Sequence, residues 1–124
     1  MSKQKIIAFD LDDVICYRSK EYESLGPDKY NYCQPYPETI ELVNSLYDEG
    51  YTNIVYTARG MSQFNGDIEK IYSLLYNKTV SDLKEWGVRY HKLVIGKIHY
   101  DVLIDDKVLN SNKITKNTIL NFLK

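Results

Sequence analysis

The chain of 124 residues contains 16 Lys and Arg residues and 17 Asp and Glu residues, giving a formal net charge of −1. This balance gives no support for binding to a nucleic-acid duplex or to an anionic membrane surface. The length fits one domain, residues 1–124, and no apolar run is long enough to cross a bilayer.

Short apolar strands alternate with segments of helical periodicity, which predicts an α/β protein with a parallel sheet. The tail, 114–122, is either a short helix or an edge strand followed by a helix. The expected elements before it are a strand at 5–9, a helix from Pro37 or Glu38 to Gly50, a strand at 53–57, helical stripes over 68–75 and 80–86, a strand at 93–95 and a fourth strand at 101–104.

The segment 18–37 has no clean periodicity and contains one glycine and three prolines, Gly26, Pro27, Pro35 and Pro37. Long irregular segments of this kind are frequently functional. We therefore predict that 18–37 is a flap loop, which follows the acidic residues at positions 10, 12 and 13 and would lie over an active site built from them.

Asp10 and Asp12 follow the first apolar strand at alternate positions. In a strand they share a face, where two carboxylates repel each other unless a cation or a shared proton intervenes. Hard oxygen ligands of this type suit Mg²⁺. Taken alone, such a pair is more simply explained as a solvated acidic turn.

Further polar residues follow the later strands. Thr57, Ala58 and Arg59 follow the second strand, Lys97 follows the third, and Asp105 with Asp106 follows the fourth. Each has an ordinary explanation as a helix cap, a surface cation or a turn. Since ligands in open parallel sheets bind beyond the carboxyl ends of the strands, the joint order favours one site on one edge of the sheet.

These four motifs, which span 6–107, resemble those of the haloacid dehalogenase (HAD) superfamily, and in particular its small bacterial members with a minimal cap. The resemblance implies a Rossmann-like parallel sheet with helices on both faces and no large cap. It implies that Asp10 attacks phosphorus, that Asp12 is the general acid and base, and that Thr57 holds a phosphoryl oxygen. The remaining roles that it implies are Lys97 bridging phosphate and Asp10, Ala58 and Arg59 at the substrate site, and Asp10, Asp12, Asp105 and Asp106 at the Mg²⁺ site.

Two residues depart from the family pattern. Asp13 stands where a Gly is usual, and Val14 stands where a Thr is usual. The loss of the Thr hydroxyl removes a hydrogen bond beside the chemistry, and Asp13 adds a charge there. Both changes bear on the reaction rate and the metal preference more than on the set of ligands.

The two cysteines, Cys16 and Cys33, occur in a sequence without a charged-then-apolar leader. We therefore expect a cytoplasmic protein with reduced thiols. A disulfide between Cys16 and Cys33 is the less favoured alternative, and neither cysteine has the spacing of a zinc site.

The function that we predict is Mg²⁺-dependent hydrolysis of a phosphate monoester through an aspartyl-phosphate, on a small sugar phosphate or a related metabolite. The alternatives are a nucleotide phosphatase, a non-catalytic HAD-like binding protein, and a receiver-like phosphorylation domain. The order of Lys97 before Asp105 argues against the receiver. We expect a small phosphorylated substrate as the partner, and a homo-oligomer remains open.

Overall fold

A computed structural model describes residues 5–124 of the chain and shows an α/β fold. The strands and α-helices are β1 (Ile6–Phe9), β2 (Cys16–Tyr17), β3 (Gln34–Pro35), α1 (Pro37–Asp48), β4 (Thr52–Thr57), α2 (Ile68–Glu85), β5 (Lys92–Ile95) and α3 (Lys116–Phe122). Two 3₁₀ segments, Lys20–Tyr32 and Ser111–Lys113, lie between them. No helix in this part of the chain has the length and apolar character needed to span a membrane.

The main sheet has three strands in the order β1-β4-β5, and both pairings are parallel. Phe9, Val55 and Leu93 lie in one row across the sheet and are buried. The α/β class and the parallel sheet are therefore confirmed. The opposite face carries Ile6 and Tyr56, both exposed, so the coverage of both faces by helices that the sequence predicts is incomplete.

The helices pack through apolar stripes on the buried face. In α1, Ile40, Val43 and Leu46 are buried at helical spacing. In α2, the Asp67 side chain caps the first turn by accepting a hydrogen bond from the Lys70 amide. The two stripes expected over 68–86 form this one continuous helix, because no glycine or proline interrupts them.

The fourth strand expected at 101–104 does not form. Val102 and Ile104 are 73% and 92% exposed, and β1 is an edge strand of the described sheet. Three consecutive apolar residues, Val102 to Ile104, give the segment strand character by composition, but a strand exists only when a neighbour pairs with its backbone. The sequence pattern contains no information about that pairing, so the prediction was wrong for this conformation.

The segment predicted as a flap contains local structure. Most of it consists of 3₁₀ turns over Lys20–Tyr32, interrupted at Gly26, whose φ is +63°. At its ends, β2 and β3 form a short antiparallel pair. For the tail, the structure selects the helical alternative: α3 begins at a capping box between Thr115 and Thr118.

Candidate active site

A cleft of about 450 Å³ lies at the carboxyl ends of the sheet strands. Its lining includes all the site residues predicted after the first three strands: Asp10, Asp12, Thr57, Ala58, Arg59 and Lys97. A larger groove, between α1 and Trp86, contains none of them. The smaller cleft is the better candidate site, because charged groups of both signs meet there at strand ends.

Asp10 and Lys97 form an ion pair across the cleft. Lys97 Nζ lies 3.3 Å from Asp10 Oδ2, while the Leu11 amide donates to Asp10 Oδ1 at 2.8 Å. Burial raises the pKa of Asp10 above its ordinary value, although Lys97 acts in the opposite direction. Burial lowers the pKa of Lys97, but the charge of Asp10 and the contact with Tyr100 together outweigh burial, so the net pKa of Lys97 is raised.

The backbone of Lys97 is fixed to the neighbouring strand. The amides of Gly96 and Lys97 both donate to the Thr57 carbonyl at 3.1 Å. Gly96 has φ +128°, a conformation that a residue with a Cβ rarely adopts. The turn after β5 therefore places Lys97 beside the end of β4.

Asp12 lies between two guanidinium groups. Arg18 Nη1 is 2.8 Å from Asp12 Oδ1, and Arg59 Nε is 3.1 Å from Asp12 Oδ2. Burial raises the pKa of Asp12, but the charge of Arg59 and then that of Arg18 outweigh it, so the net pKa lies below its ordinary value. In this conformation both oxygens of Asp12 accept hydrogen bonds from arginine, so a cation bound by Asp12 would have two guanidinium charges beside it.

Arg59 is a buried residue, with a side chain that is 0% exposed. Its Nη1 donates to Thr79 at 3.2 Å and pairs with Asp82 at 3.5 Å on α2. Its guanidinium also lies over the Tyr30 ring, 4.8 Å from the centroid. This geometry places the Arg59 side chain against Asp12, and since Arg59 also lines the cleft, its predicted contact with substrate stays a prediction.

Thr57 ends β4 with a side chain facing the interior. Its hydroxyl accepts a hydrogen bond from the Arg59 amide at 3.1 Å, and the residue is 1% exposed. A hydroxyl that accepts from the backbone still has a proton to donate. Thr57 can therefore offer that proton to a phosphoryl oxygen only if the ligand reaches the floor of the cleft.

Asp13 lines the cleft and has φ +69°, in the left-handed region. That conformation favours glycine, and Asp is one of the few other residues that tolerate it. The Asp13 amide donates to the Cys16 carbonyl at 2.6 Å, which closes the turn. Asp13 thus preserves the backbone that a glycine would give while adding a carboxylate to the rim.

Asp105 and Asp106 do not line the cleft. Both residues are exposed, and Asp105 Oδ1 accepts a hydrogen bond from the Lys107 amide at 3.0 Å. That backbone contact lowers the pKa of Asp105. The structure brings together the residues predicted after the first three strands but leaves this pair apart, because the strand that would carry it is not paired.

Sequence reasoning did not assign roles to several residues around Asp12. Arg18 belongs to the predicted flap, where the sequence shows no partner for it, and Asp82 is a buried acid in the last turn of α2. Tyr30 accepts a hydrogen bond from the Gly60 amide at 3.0 Å and is 4% exposed. The available signal was Asp82 itself, the one acidic residue on the buried face of α2, which points to a buried cation nearby.

No family model matches the chain, and no curated protein matches it. Among solved structures, a crystal structure of an MCSG target from Vibrio cholerae is similar to it, with a TM-score of 0.78 and 21% identity. The match covers 96% of this chain and 96% of that one. This similarity shows that the chain shares its fold over nearly its whole length with that protein.

Proposed function

We propose that this protein is a Mg²⁺-dependent phosphatase that hydrolyses a small phosphate monoester through an aspartyl-phosphate. The observation that carries the proposal is the Asp10–Lys97 pair, 3.3 Å apart at the carboxyl ends of β1 and β5, with Asp12 two residues from Asp10. The order of the motifs along the chain, which resembles that of HAD phosphatases, adds support.

The contacts of Asp10 suit a nucleophile. The Leu11 amide holds Oδ1, and Oδ2 faces the Lys97 ammonium, so the carboxylate has one fixed orientation. The side chain is 38% exposed, which leaves it open to a ligand. An anionic nucleophile attacks a phosphate ester only when positive charge neutralises the transferring group. Lys97 provides part of that charge, and a bound Mg²⁺ would provide the remainder.

The residues present fit a hard cation in part. Asp10 and Asp13 line the cleft with oxygen donors of the kind that Mg²⁺ prefers. Asp12 is held by arginine in the described conformation. We propose that Asp105 and Asp106 complete the site when 101–106 pairs with the free edge of β1, which would also give the sheet the fourth strand of the HAD core.

The arginine contacts of Asp12 bear on its proposed role as the general acid. As a general acid it must carry a proton, whereas its two arginine partners stabilise the ionised form. An incoming phosphate would compete with Asp12 for Arg18, which also lines the cleft. Loss of one guanidinium contact would raise the pKa of Asp12 and make protonation of the leaving oxygen easier.

The cleft favours a small substrate. Tyr30, His99 and Tyr100 line it beside Lys97, and Lys97 Nζ lies 5.5 Å from the centroid of the Tyr100 ring. Aromatic faces of this kind can stack on a sugar or on a base. We propose a sugar phosphate or a related metabolite, and a nucleotide is the alternative.

Hydrolysis of p-nitrophenyl phosphate, with Mg²⁺ and with EDTA, tests the function. We expect turnover only with Mg²⁺, and none in Asp10→Asn, which removes the nucleophile at nearly constant volume. Asp48→Asn is the matched control, because Asp48 is an exposed carboxylate paired with Arg89 outside the cleft. Full activity in Asp10→Asn would refute the mechanism.

Labelling with acetyl phosphate distinguishes the receiver-like alternative. A phosphatase should release the phosphoryl group from Asp10 as phosphate, so that turnover continues. A stable phosphoryl adduct on Asp10 without release of phosphate would instead support a receiver-like domain. A panel of sugar phosphates and nucleotides, compared by kcat/KM, would then identify the substrate class.

A further inference from the structure

Cys16 and Cys33 form a pair of thiols directly behind Asp12. Cys16 is in β2 opposite Pro35 of β3, and Cys33 precedes Pro35 by two residues, which places both cysteines on the same face of this strand pair. The two Sγ atoms and an oxygen of Asp12 all lie within 4.8 Å of one another. Cys16 and Cys33 are 0% and 9% exposed, and both are reduced.

Positive charge surrounds the sulfur of Cys33. Arg59 Nη2 lies 3.2 Å from Cys33 Sγ, and Arg18 Nη1 lies 3.4 Å from it. Guanidinium groups at this distance stabilise a thiolate, which is the form of cysteine that reacts with oxidants. The same two charges oppose a metal ion held by Asp12 and the two sulfurs.

Cys33 keeps 9% of its surface exposed and lies next to the lining of the cleft. Arg18 and Asp12, which contact Cys33, also line the cleft. The paired strands beside the cysteines are only two residues long each, so the sulfurs can approach one another with little loss of backbone pairing. A disulfide requires an S–S distance of about 2.05 Å, closer than non-bonded contact.

We propose that Cys16 and Cys33 form a reversible disulfide when a hydroperoxide such as hydrogen peroxide oxidises the Cys33 thiolate. The thiolate attacks the peroxide, takes up one oxygen to become a sulfenic acid, and, with a proton, releases water. The Cys16 sulfur then attacks the Cys33 sulfur, and the hydroxyl leaves with the Cys16 proton as a second water. Two thiols are oxidised and one peroxide is reduced to two waters.

The disulfide changes the surroundings of Asp12. Cys16 Sγ lies 3.5 Å from Asp12 Oδ1, as a donor, and the sulfur of Cys33 accepts from both arginines. Oxidation removes the thiol proton and the negative charge, so the arginines lose one acceptor and Asp12 loses one donor. We expect catalysis to fall on the order of 10-fold, as when a group supporting an active-site residue is displaced. This part of the inference rests on the proposed phosphatase activity.

The test treats the reduced full-length protein with hydrogen peroxide, alkylates it with iodoacetamide after denaturation, and measures its mass. We expect no alkylation, a mass lower by about 2 Da because two hydrogens leave, and a peptide that links Cys16 to Cys33. Dithiothreitol should restore both thiols. Two thiols that remain alkylatable, or one cysteine oxidised to a sulfinic acid without the link, would overturn the proposal.

Variants connect the bond to the activity. Cys33→Ser lacks the thiolate that reacts first, so peroxide should leave it at its own untreated activity, whereas the wild type should lose activity and recover it with dithiothreitol. Cys16→Ala keeps the reactive Cys33 without a partner, so peroxide should oxidise Cys33 to a sulfenic acid and form no disulfide. An equal loss in Cys33→Ser would overturn the link to Asp12. Zn²⁺ that protects both thiols from alkylation in the native protein would overturn the exclusion of a metal.

The mass measurement keeps the inference separate from the proposed function. A protein that forms the linked peptide but hydrolyses no phosphate ester would retain the disulfide and refute only the phosphatase. A phosphatase that forms no linked peptide would refute only the disulfide.

Discussion

Arg59 and Asp12 are joined by hydrogen bonds from Nε to both carboxylate oxygens, at 3.1 Å to Oδ2 and 3.4 Å to Oδ1. The guanidinium is fully buried and also pairs with Asp82, so one cation holds two carboxylates from different parts of the chain. Arg59 therefore connects Asp12, the candidate general acid, with the buried carboxylate of α2.

The first prediction concerns the stability that depends on Arg59. Arg59→Met leaves Asp12 and Asp82 buried without their shared partner, and removing one member of a buried pair costs about 3–5 kcal/mol. Urea denaturation at neutral pH measures the loss. Lys78→Met is the control, because Lys78 contacts the same Asp82 from a partly exposed position and should cost less than about 1 kcal/mol. Equal losses of unfolding free energy in the two variants would contradict the inference that Arg59 is the main partner of the buried carboxylates.

The second prediction is that Asp10→Asn and Asp12→Asn change stability in opposite directions at pH 7 without added Mg²⁺. Because the pKa of Asp10 is raised on folding, its contribution to stability is full below the ordinary carboxyl pKa and is lost as the pH rises through the folded value. The neutral Asn removes that cost and should raise the Tm by a few degrees.

Asp12 has the opposite sign. Its folded pKa is depressed, so its contribution is present above the ordinary carboxyl pKa and is lost as the pH falls through the folded value. Asp12→Asn should cost on the order of 3 kcal/mol at pH 7, because two guanidinium groups lose their anion. Thermal unfolding measured from pH 7 downwards should show both differences shrinking. A lower Tm in Asp10→Asn would contradict the inference that burial of the Asp10 carboxylate destabilises the fold.

The third prediction concerns pH and Lys97. The ammonium lowers the pKa of Asp10, so Lys97→Met should move the acid limb of the kcat/KM profile to higher pH. It should also reduce kcat about 10²- to 10³-fold, as when a charge-stabilising group is removed. Lys97→Arg keeps the charge and should keep the limb near its wild-type position. A profile in Lys97→Met that is lower but unshifted would mean that Lys97 contacts substrate without affecting Asp10.

The fourth prediction is that the segment 18–37 supports the catalytic site as well as covering it. Arg18 pairs with Asp12, and the Tyr30 hydroxyl accepts a hydrogen bond from the buried Gly60 amide. Tyr30→Phe leaves that amide unsatisfied and should cost about 1–3 kcal/mol in unfolding free energy. Tyr32→Phe is the control, since Tyr32 is 44% exposed.

Shortening the segment should accordingly lower kcat/KM on p-nitrophenyl phosphate and on larger phosphate esters alike. Retained activity on the small ester alone would show that the segment serves recognition only.

The fifth prediction is that Mg²⁺ with a phosphate analogue orders the segment 101–106 against β1. Hydrogen exchange should slow at 6–9 and at 101–106 together, because a new strand pair protects amides on both sides. Asp105→Ala and Asp106→Ala should weaken the Mg²⁺ dependence unequally, with the indirect partner losing about 10- to 100-fold. Unchanged exchange in both segments would remove Asp105 and Asp106 from the site.

The sequence predicted the site residues whose positions follow from the order of the strands. Asp10, Thr57 and Lys97 follow apolar strands, and parallel pairing brings such strand ends to one edge of a sheet, as the structure shows. The strand at 101–104 could not be judged in the same way, because its formation depends on an edge far away in sequence.

The environment of Arg59 was equally out of reach. Burial of an arginine depends on a cluster of partners, and Asp82 lies 23 residues after Arg59 in the sequence, with no motif that connects the two. The sequence suggested reduced cysteines, with a disulfide as the less favoured alternative, but it could not show their reactivity, because that depends on the arginines beside Cys33. A sequence pattern predicts elements well, whereas buried charge depends on tertiary contacts.

Asp13 shows how backbone geometry limits what this position can accept. Its φ of +69° costs about 1–2 kcal/mol for most residues, and the penalty is smallest for Gly, Asn and Asp. β-Branched and bulky side chains are therefore excluded next to the cleft. Natural variation at position 13 should be confined to these three amino acids. A change among Gly, Asn and Asp alters the charge at the mouth of the cleft and leaves the main chain unaltered.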